Sequence, residues 1–170
     1  MTETTSPPRR RLVARHPAAI AATCFGIGYL PFAPGTAASL AALPMAWALD
    51  LAGGRPAILL AALALATIGW WAGAVYVRHH HAEDPSEVVI DEVAAQLLVL
   101  TVVPLTPLSI IAGFVLFRVF DIVKPWPVSW ADRKVKGGLG VMLDDLLAAL
   151  YAALGLIAFI WLAERLPYVS

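Results

Sequence analysis

The chain has little cysteine and little charge, and each scarcity excludes a class of function. Among 170 residues there is one cysteine, Cys24, so an internal disulfide framework, a multi-cysteine zinc site and a CxxC redox motif are excluded. We expect Cys24, which lies in an apolar run, to be a buried small hydrophobe. Lysine plus arginine equals aspartate plus glutamate at 12 each, so no general positive field favours a nucleic-acid partner.

What the chain has instead is long apolar runs. Charged residues make up 14% of it, against roughly 25% in an average soluble domain. Ala57–Val77 and Val93–Phe117 carry no charge over 21 and 25 residues. A membrane-spanning helix needs about 20 predominantly apolar residues, and Ala57–Val77 meets that length. The sequence therefore predicts an all-α fold, a compact multi-pass membrane helical bundle; the alternative is a soluble all-α protein with unusually buried helices.

The domain organisation is predicted to be simple. We expect residues 1–15 to form a disordered basic N-terminal tail and residues 16–166 a single helical domain. The tail is polar and contains prolines, and it shows no cleavable signal peptide. Its arginines precede the first apolar stretch, which places this end in the cytoplasm under the positive-inside rule.

Prolines and glycines divide the apolar runs. The stretch Asp50–Pro56 contains Gly53 and Gly54 and predicts a turn before the Ala57–Val77 helix. Pro104 and Pro107 interrupt Val93–Phe117, and an interior proline costs a helix about 3 kcal/mol. These prolines predict Pro-broken helices and a hairpin with halves of about 10–12 residues, each roughly half a bilayer.

Such a hairpin has a consequence for the polar residues. We expect its first helix to begin near Pro85 or Ser86, which would put Glu87 and Asp91 on one helical face. The second half would return Arg118 to the membrane face where Glu92 lies. The sequence thus predicts a polar site that faces the cytoplasm, whereas one straight span would split the acids between two sides.

The chemistry of the chain concentrates in residues 117–145. This segment combines acids with cations: Asp121, Asp132, Asp144 and Asp145 with Arg118, Lys124, Arg133, Lys134 and Lys136. Carboxylates bind hard divalent metals, and arginine and lysine bind phosphate. Acids that enter apolar helices are costly and are functional candidates by default, and Asp91 with Glu92 forms a second such pair. The pattern indicates metal-assisted chemistry on a phosphate at a membrane.

The candidate residues fall into three roles. We predict that Mg²⁺, as one or two ions, is held by carboxylates: Asp91, Glu92, Asp121, Asp144 and Asp145. The predicted phosphate-binding residues are Arg118, Lys124, Lys136 and Thr36. Asp91, Asp121 and Asp132 are the catalytic candidates, and the residues do not decide whether Asp132 is a base or a further ligand. For Asp121 alone, pairing with Arg118 or Lys124 is an equally good interpretation.

Two further motifs bear on whether the chain binds a ligand or a metal elsewhere. The glycines before Asp144, Gly137-Gly138-Leu139-Gly140, would let backbone approach a ligand closely. The histidines at 79–81 do not share one face and are expected to form a solvated loop rather than a metal site. Motifs for cysteine phosphatases, aspartyl phosphoenzymes and histidine-dependent lipid phosphatases are missing from the sequence, so metal-activated water is the simplest nucleophile.

Four ordered blocks of residues resemble a known family. They are Gly26-Ile-Gly28-Tyr-Leu-Pro31 with Ala33-Pro34-Gly35-Thr36, then Ile90-Asp91-Glu92, then Phe117–Pro127, then Asp132-Arg133 with Gly137–Asp145. Across residues 25–150 the chain resembles the phosphatidylglycerophosphatase A family of bacterial Mg²⁺-dependent lipid phosphatases. The resemblance implies hydrolysis of phosphatidylglycerophosphate to phosphatidylglycerol in phospholipid biosynthesis. It also implies a bacterial inner-membrane location.

Two other classes of function stay open at this point. An ion-coupled transporter also has broken helices and buried acids, although it would spread polar residues along its spans. A non-catalytic membrane subunit is the second alternative. The sequence leaves the oligomeric state, the number of metal ions and the breadth of lipid substrates undecided.

Overall fold

The computed structural model describes residues 15–80 and 85–165, and over these residues the chain is helical with no strand. The helices are α1 (Pro17–Ala22), α2 (Pro34–His80), α3 (Ile90–Leu100), α4 (Pro107–Val123), α5 (Val128–Lys134) and α6 (Gly137–Ala163), with a 3₁₀ turn at Ile27–Tyr29. The predicted all-α bundle is confirmed. The tail predicted for residues 1–15 lies, apart from Arg15, outside the described residues.

Helix α2 is two helices joined at a sharp kink. Gly53 and Gly54 leave helical geometry there, and Gly54 has a φ of 68°, which favours glycine. The kink falls inside the predicted turn, and it folds the two halves of α2 against each other. Ala38, Ala42 and Ala46 of the first half pack with Ile58 and Ala62 of the second half in one core cluster. Small alanines allow this close helix contact.

Helices α3 and α4 form the hairpin that the two prolines predict. Thr106 caps α4 by accepting a hydrogen bond from the Ser109 N–H at 3.1 Å, while Ser109 Oγ accepts from the Thr106 N–H at 2.8 Å. This is a reciprocal cap that fixes the start of a helix. Helix α3 has the expected 11 residues, but α4 has 17 because it continues through Arg118 to Val123. The hairpin returns Arg118 to the end of the bundle where α3 begins.

The start predicted for α3 near Pro85 or Ser86 is wrong, because the helix begins at Ile90. The preceding residues pair with the segment after α1 instead. The Val89 N–H donates to the Ala22 carbonyl at 2.8 Å, and a Cβ on Gly28 would lie 1.9 Å from the Glu87 carbonyl oxygen. Glu87 is therefore outside the helix and shares no helical face with Asp91.

Cys24 lies in that same segment after α1. Burial, followed by the nearby Glu92 charge, raises the pKa of the Cys24 thiol to about 12. The thiol is therefore protonated at neutral pH and is a poor nucleophile. Cys24 is only half-buried, whereas the sequence predicted a buried residue.

The histidine run is partly helical, which corrects the expected loop. His79 and His80 end α2, where the His79 ring lies 2.8 Å from the Val75 carbonyl and the His80 ring stacks on Tyr76 at 4.1 Å. His81 lies outside the described residues. In the described part of the chain these histidines belong to no metal-binding group.

The long helices α2 and α6 expose apolar surface on a scale that points to lipid. Each contains an 18-residue apolar window of which only 28% is buried within the protein. Exposed side chains on them include Leu60, Trp70, Trp71, Leu154, Trp161 and Leu162. Contiguous patches of this kind are rare on soluble monomers. Both helices are long and apolar enough to cross a membrane, and the buried-helix alternative does not account for their exposed faces.

Candidate active site

One end of the bundle holds a pocket of about 410 Å³ where four parts of the chain meet. They are the start of α2, the segment that leads into α3, the end of α4 and the first turns of α6. Eight of the predicted site residues line it: Thr36, Asp91, Glu92, Arg118, Asp121, Lys124, Asp144 and Asp145. Residues that are far apart in the sequence are therefore neighbours, because the hairpin brings α4 back to the start of α3.

Three carboxylates form the centre of this pocket. Asp91, Glu92 and Asp145 each place a carboxylate oxygen within 4.8 Å of the others. Asp91 and Asp145 are 6% and 5% exposed, so they are almost completely removed from water. None of the salt bridges in the described residues involves these three side chains. Two buried acids and a half-buried one that share no salt bridge are electrostatically incomplete, and hard divalent cations prefer such oxygen ligands.

The pKa of Asp91 reflects its position among other carboxylates. Asp91 lies in the first turn of α3, outside the two long apolar helices. Burial, and then the neighbouring charges of Glu92 and Asp145, raise the pKa of Asp91 well above its ordinary value. A positive ion between these carboxylates would reverse both causes, because it would offset the lost hydration and the mutual repulsion. The donor set therefore fits a divalent metal.

Arg118 connects α4 to α2 beside the carboxylates. Its Nη1 lies 2.8 Å from Asp121 Oδ2 and donates to Ser39 Oγ at 3.4 Å. Asp121 thus forms an ion pair with Arg118, three residues before it. This pairing is the alternative to metal binding that the sequence allowed for Asp121. Because Arg118 also lines the pocket, its guanidinium can bind an anion there while Asp121 and Ser39 hold it in place.

Lys124 bridges two acids from different helices. Its Nζ lies 2.5 Å from Asp132 Oδ1 on α5 and 2.7 Å from Asp144 Oδ2 on α6. Burial alone lowers the pKa of Lys124, but the two carboxylates outweigh it and the net pKa is raised above the usual lysine value. The ammonium therefore stays charged throughout the neutral range. Lys124 has a φ of 47°, so the chain turns at the end of α4 to direct it toward these acids.

The start of α2 forms the opposite wall. Pro34, Gly35 and Thr36 line the pocket as the first helical residues, so this segment is a helix N-terminus. Backbone N–H groups in a first helical turn have no partner within the helix and attract anions. Gly35 is also required by packing, since a Cβ there would lie 1.8 Å from Glu92 Oε1.

Two predicted site residues lie outside the lining of the pocket. Asp132 reaches the site only through its contact with Lys124. Lys136 precedes α6 as its N-cap residue and does not line the pocket. The glycines after it pack helices together: a Cβ on Gly138 would lie 2.3 Å from the Ala74 nitrogen and 2.5 Å from the Trp70 carbonyl oxygen. Gly138 thus approaches the backbone of α2, where we expected an approach to a ligand.

Sequence reasoning missed the roles of three residues at the site. Ser39 holds Arg118, Gly35 makes room for Glu92, and Gln96 is fully buried one helical turn after Glu92. Of these, only Gln96 could have been recognised from the sequence, because it is an amide in an otherwise apolar run. The roles of Ser39 and Gly35 depend on side chains more than 50 positions away.

The fold, the pocket and comparison with known proteins together identify the class: this is a membrane-associated phosphatase, a phosphoric monoester hydrolase. A family model described as phosphatidylglycerophosphatase A matches residues 20–160. The chain belongs to the phosphatidylglycerophosphatase A family. The resemblance predicted from the four sequence blocks is confirmed.

Individual relatives agree with the family. The chain is 35% identical to phosphatidylglycerophosphatase A of Escherichia coli K12 over 158 residues, covering 89% of this chain and 88% of the relative. It is 35% identical to the protein of that name from Haemophilus influenzae over 156 residues, covering 91% and 94%. A Bacteroides thetaiotaomicron protein with the provisional name phosphatidylinositol-3-phosphatase is 42% identical over 136 residues, covering 76% and 85%. No solved structure matches the chain.

Proposed function

We propose that this protein hydrolyses the phosphomonoester of phosphatidylglycerophosphate, giving phosphatidylglycerol and phosphate in phospholipid biosynthesis, and that the reaction depends on Mg²⁺. The observation that carries this proposal is the meeting of three carboxylates, those of Asp91, Glu92 and Asp145, with Arg118 and Lys124 in one pocket. The names of the Escherichia and Haemophilus relatives supply the substrate.

The metal would be held by Asp91, Glu92 and Asp145, the three acids that converge and take no part in the salt bridges of the described residues. When bound, Mg²⁺ lowers the pKa of a coordinated water and neutralises charge on phosphate oxygens. Asp121 and Asp144, also predicted as ligands, line the same pocket but contact Arg118 and Lys124. We therefore assign them first to orienting these two cations.

Groups on three sides of the pocket would bind the phosphate. Arg118 offers a guanidinium fixed by Asp121 and Ser39, and Lys124 offers an ammonium fixed by two acids. The N-terminus of α2, with Gly35 and Thr36, adds backbone N–H groups suited to phosphate oxygens. Fixed donors of this kind stabilise charge without reorganising during the reaction.

The proton transfers need a base near the attacking water and an acid near the leaving oxygen. Asp121 is our candidate base, because it lines the pocket while Asp132 does not. The attacking water gives a proton to Asp121 as its oxygen forms the new bond to phosphorus, the bond from phosphorus to the lipid oxygen breaks, and the lipid oxygen takes a proton from solvent water. Asp132 acts through Lys124 as a positioning residue.

We further propose that the protein spans the bacterial inner membrane several times, with the pocket on the cytoplasmic side. Its cations support this orientation. The end of the bundle with the pocket carries Arg15, Arg78, Arg118, Lys124, Arg133, Lys134 and Lys136, whereas the opposite end carries Arg55 and Arg165. Positive residues concentrate on the cytoplasmic side of membrane proteins.

Release of phosphate from detergent-dispersed phosphatidylglycerophosphate tests the proposal. We expect release by the wild-type protein with Mg²⁺, loss of release on chelation, and recovery when Mg²⁺ returns. Asp145→Asn should lower kcat by at least about 10–100-fold, the range for losing a group that merely orients a metal ligand. Asp50→Asn, a matched change just before the kink of α2 at the opposite end of the bundle, should retain activity. Equal release by wild type and Asp145→Asn would contradict the proposal.

The other candidates are separated by the same assay. Because the chain belongs to a phosphatase family, the two alternative functions, a transporter and a non-catalytic subunit, are not needed to explain the buried acids. The name of the Bacteroides relative makes phosphatidylinositol 3-phosphate the second candidate substrate. Comparing kcat/KM for the two lipids decides between them, and we expect phosphatidylglycerophosphate to be preferred.

A further inference from the structure

One helical turn after Glu92 on α3 lies a glutamine whose side chain has no hydrogen-bond partner among the described residues. Gln96 is 0% exposed, and neither its Nε2 nor its Oε1 makes a hydrogen bond to any described residue. The other buried side-chain atoms without partners in the described part of the chain are Glu92 Oε2 and Arg118 Nε. All four orphaned atoms belong to two residues of the pocket and to the residue one turn from Glu92.

Such atoms rarely stay unpaired in a folded protein. A buried amide that loses water without gaining a hydrogen bond is destabilising, and nearly all buried polar groups have a partner. Where protein atoms do not supply it, an ordered water usually does, with two to four polar contacts. The orphaned atoms here offer both donors and acceptors, which is what a buried water requires.

The helical geometry brings two of these residues together. Glu92 and Gln96 are four positions apart on α3, so their side chains lie on one face with Cβ atoms about 5–6 Å apart. The two side chains have equal length, and no direct hydrogen bond joins them. One water with two hydrogen bonds of about 2.8 Å can join two polar atoms that make no direct hydrogen bond to each other.

We propose that Gln96 is a positioning residue: its amide binds a buried water that donates to Glu92 Oε2 and fixes the Glu92 carboxylate for metal binding. The inference rests on the proposed function, since it takes Glu92 as a ligand. Groups behind a metal ligand orient it, and losing them commonly weakens metal affinity by 10–100-fold. Arg118 Nε is a further donor beside the same carboxylate.

Gln96→Met separates this role from simple packing. Methionine has nearly the same length and volume as glutamine but cannot hold a water by strong hydrogen bonds. Leu97→Met is the matched control, because Leu97 is also 0% exposed on α3 and carries no polar group. Mn²⁺ serves as the probe, and its dissociation constant is measured by electron paramagnetic resonance on substrate-free protein in detergent, together with the melting temperature.

We expect Gln96→Met to bind Mn²⁺ 10–100-fold more weakly than wild type, with a melting temperature equal or higher, and Leu97→Met to bind as wild type does. A folded Gln96→Met with an unchanged dissociation constant overturns the role of Gln96 alone. If Gln96→Met does not fold, Gln96→Asn decides: weaker binding than Leu97→Met supports the role, and equal binding overturns it. Wild type that binds no Mn²⁺ overturns the proposed metal site itself.

Discussion

At the scale of single residues, the Glu92 carboxylate fills the space that a side chain at position 35 would need. A Cβ on Gly35 would lie 1.8 Å from Glu92 Oε1 and 3.6 Å from Arg118 Nη1. The nearest obstructing atom is the end of a flexible side chain. An alanine at position 35 would therefore displace the carboxylate and leave the helices in place.

Gly35→Ala should separate function from stability. We expect metal affinity and kcat/KM to fall at least 10-fold, because Glu92 can no longer occupy its position, while the melting temperature changes little. Gly155→Ala on α6 is the control, since a Cβ there meets its nearest atoms at an ordinary 3.6 Å. If both variants bind Mn²⁺ equally well, the position of Glu92 does not matter to the site.

Lys124 gives a second prediction at this scale. Lys124→Met should raise KM for the lipid phosphate by about 10–100-fold, the loss of one charge-assisted hydrogen bond of about 1.5–3 kcal/mol. Lys134→Met removes an exposed cation of α5 and should leave KM unchanged. A KM shared by Lys124→Met and wild type would remove Lys124 from phosphate binding.

The raised pKa of Lys124 adds a pH dependence with a definite sign. A lysine whose folded pKa lies above its ordinary value keeps its stabilising ion pairs below the ordinary pKa, and it loses them only as the pH rises through the raised value. We therefore expect pH profiles of kcat/KM between pH 6 and 9 to show no loss of activity from deprotonation of Lys124. A basic limb that disappears in Lys124→Met would contradict this.

The acids of the site could be named from the sequence because each breaks a local rule. Asp91, Glu92 and Asp145 enter apolar helices, where a charge is costly unless it has a function. Which acid contacts a lysine and which lies beside other acids could not be predicted from the sequence. That Asp144 contacts Lys124 while Asp145 turns toward Asp91 depends on the rotation of α6 about its axis, which tertiary packing sets.

At the scale of elements, the placement of α6 against α2 determines where Asp144 and Asp145 lie. Gly138 permits this contact, since its Cα side faces the backbone of Trp70 and Ala74. Unlike the side chain beside Gly35, backbone atoms cannot move aside cheaply. A side chain at position 138 would therefore push the first turn of α6 away from α2.

Gly138→Ala should destabilise the protein as well as inactivate it. We expect a loss of about 1–3 kcal/mol, the usual cost of overpacking, seen as a lower melting temperature in detergent. Gly155→Ala again serves as the control within α6. A Gly138→Ala variant as stable and as active as Gly155→Ala would show that α6 does not pack on α2 through this glycine.

The elements were predictable where local signals act and not where distant backbone decides. Pro104, Pro107 and the Gly53-Gly54 pair marked the α3–α4 hairpin and the kink of α2 correctly, because they restrict their own backbone. Pro85 and Ser86 also looked like a helix start. There the Val89 N–H donates to the Ala22 carbonyl, so the helix begins only at Ile90. No residue near Pro85 indicates that distant partner.

At the scale of the whole molecule, the pocket lies at the end of the bundle that carries most of the cations. The α3–α4 hairpin and both halves of α2 run between this end and the kink at Gly53-Gly54. Exposed aromatic side chains, Phe25, Phe32, Trp126 and Trp130, surround the same end. Aromatic residues are enriched where a membrane meets water, so the pocket would open at the level of lipid headgroups.

The orientation can be tested in cells by labelling single cysteines. In a Cys24→Ser background, Arg133→Cys marks the end with the pocket and Ala52→Cys marks the end with the kink; both positions are exposed. A membrane-impermeant maleimide added to cells with a permeable outer membrane should label position 52 and spare position 133 until the inner membrane is opened. The reverse pattern would place the pocket outside the cytoplasm.

The central claim is that a divalent cation binds where the carboxylates of Asp91, Glu92 and Asp145 meet. Anomalous diffraction from crystals grown with Mn²⁺ locates that ion directly. The account predicts an anomalous peak within bonding distance of Asp91, Glu92 and Asp145, and its loss in Asp145→Asn crystals. A peak elsewhere in the molecule, or no peak in crystals of protein that is active with Mn²⁺, would contradict it.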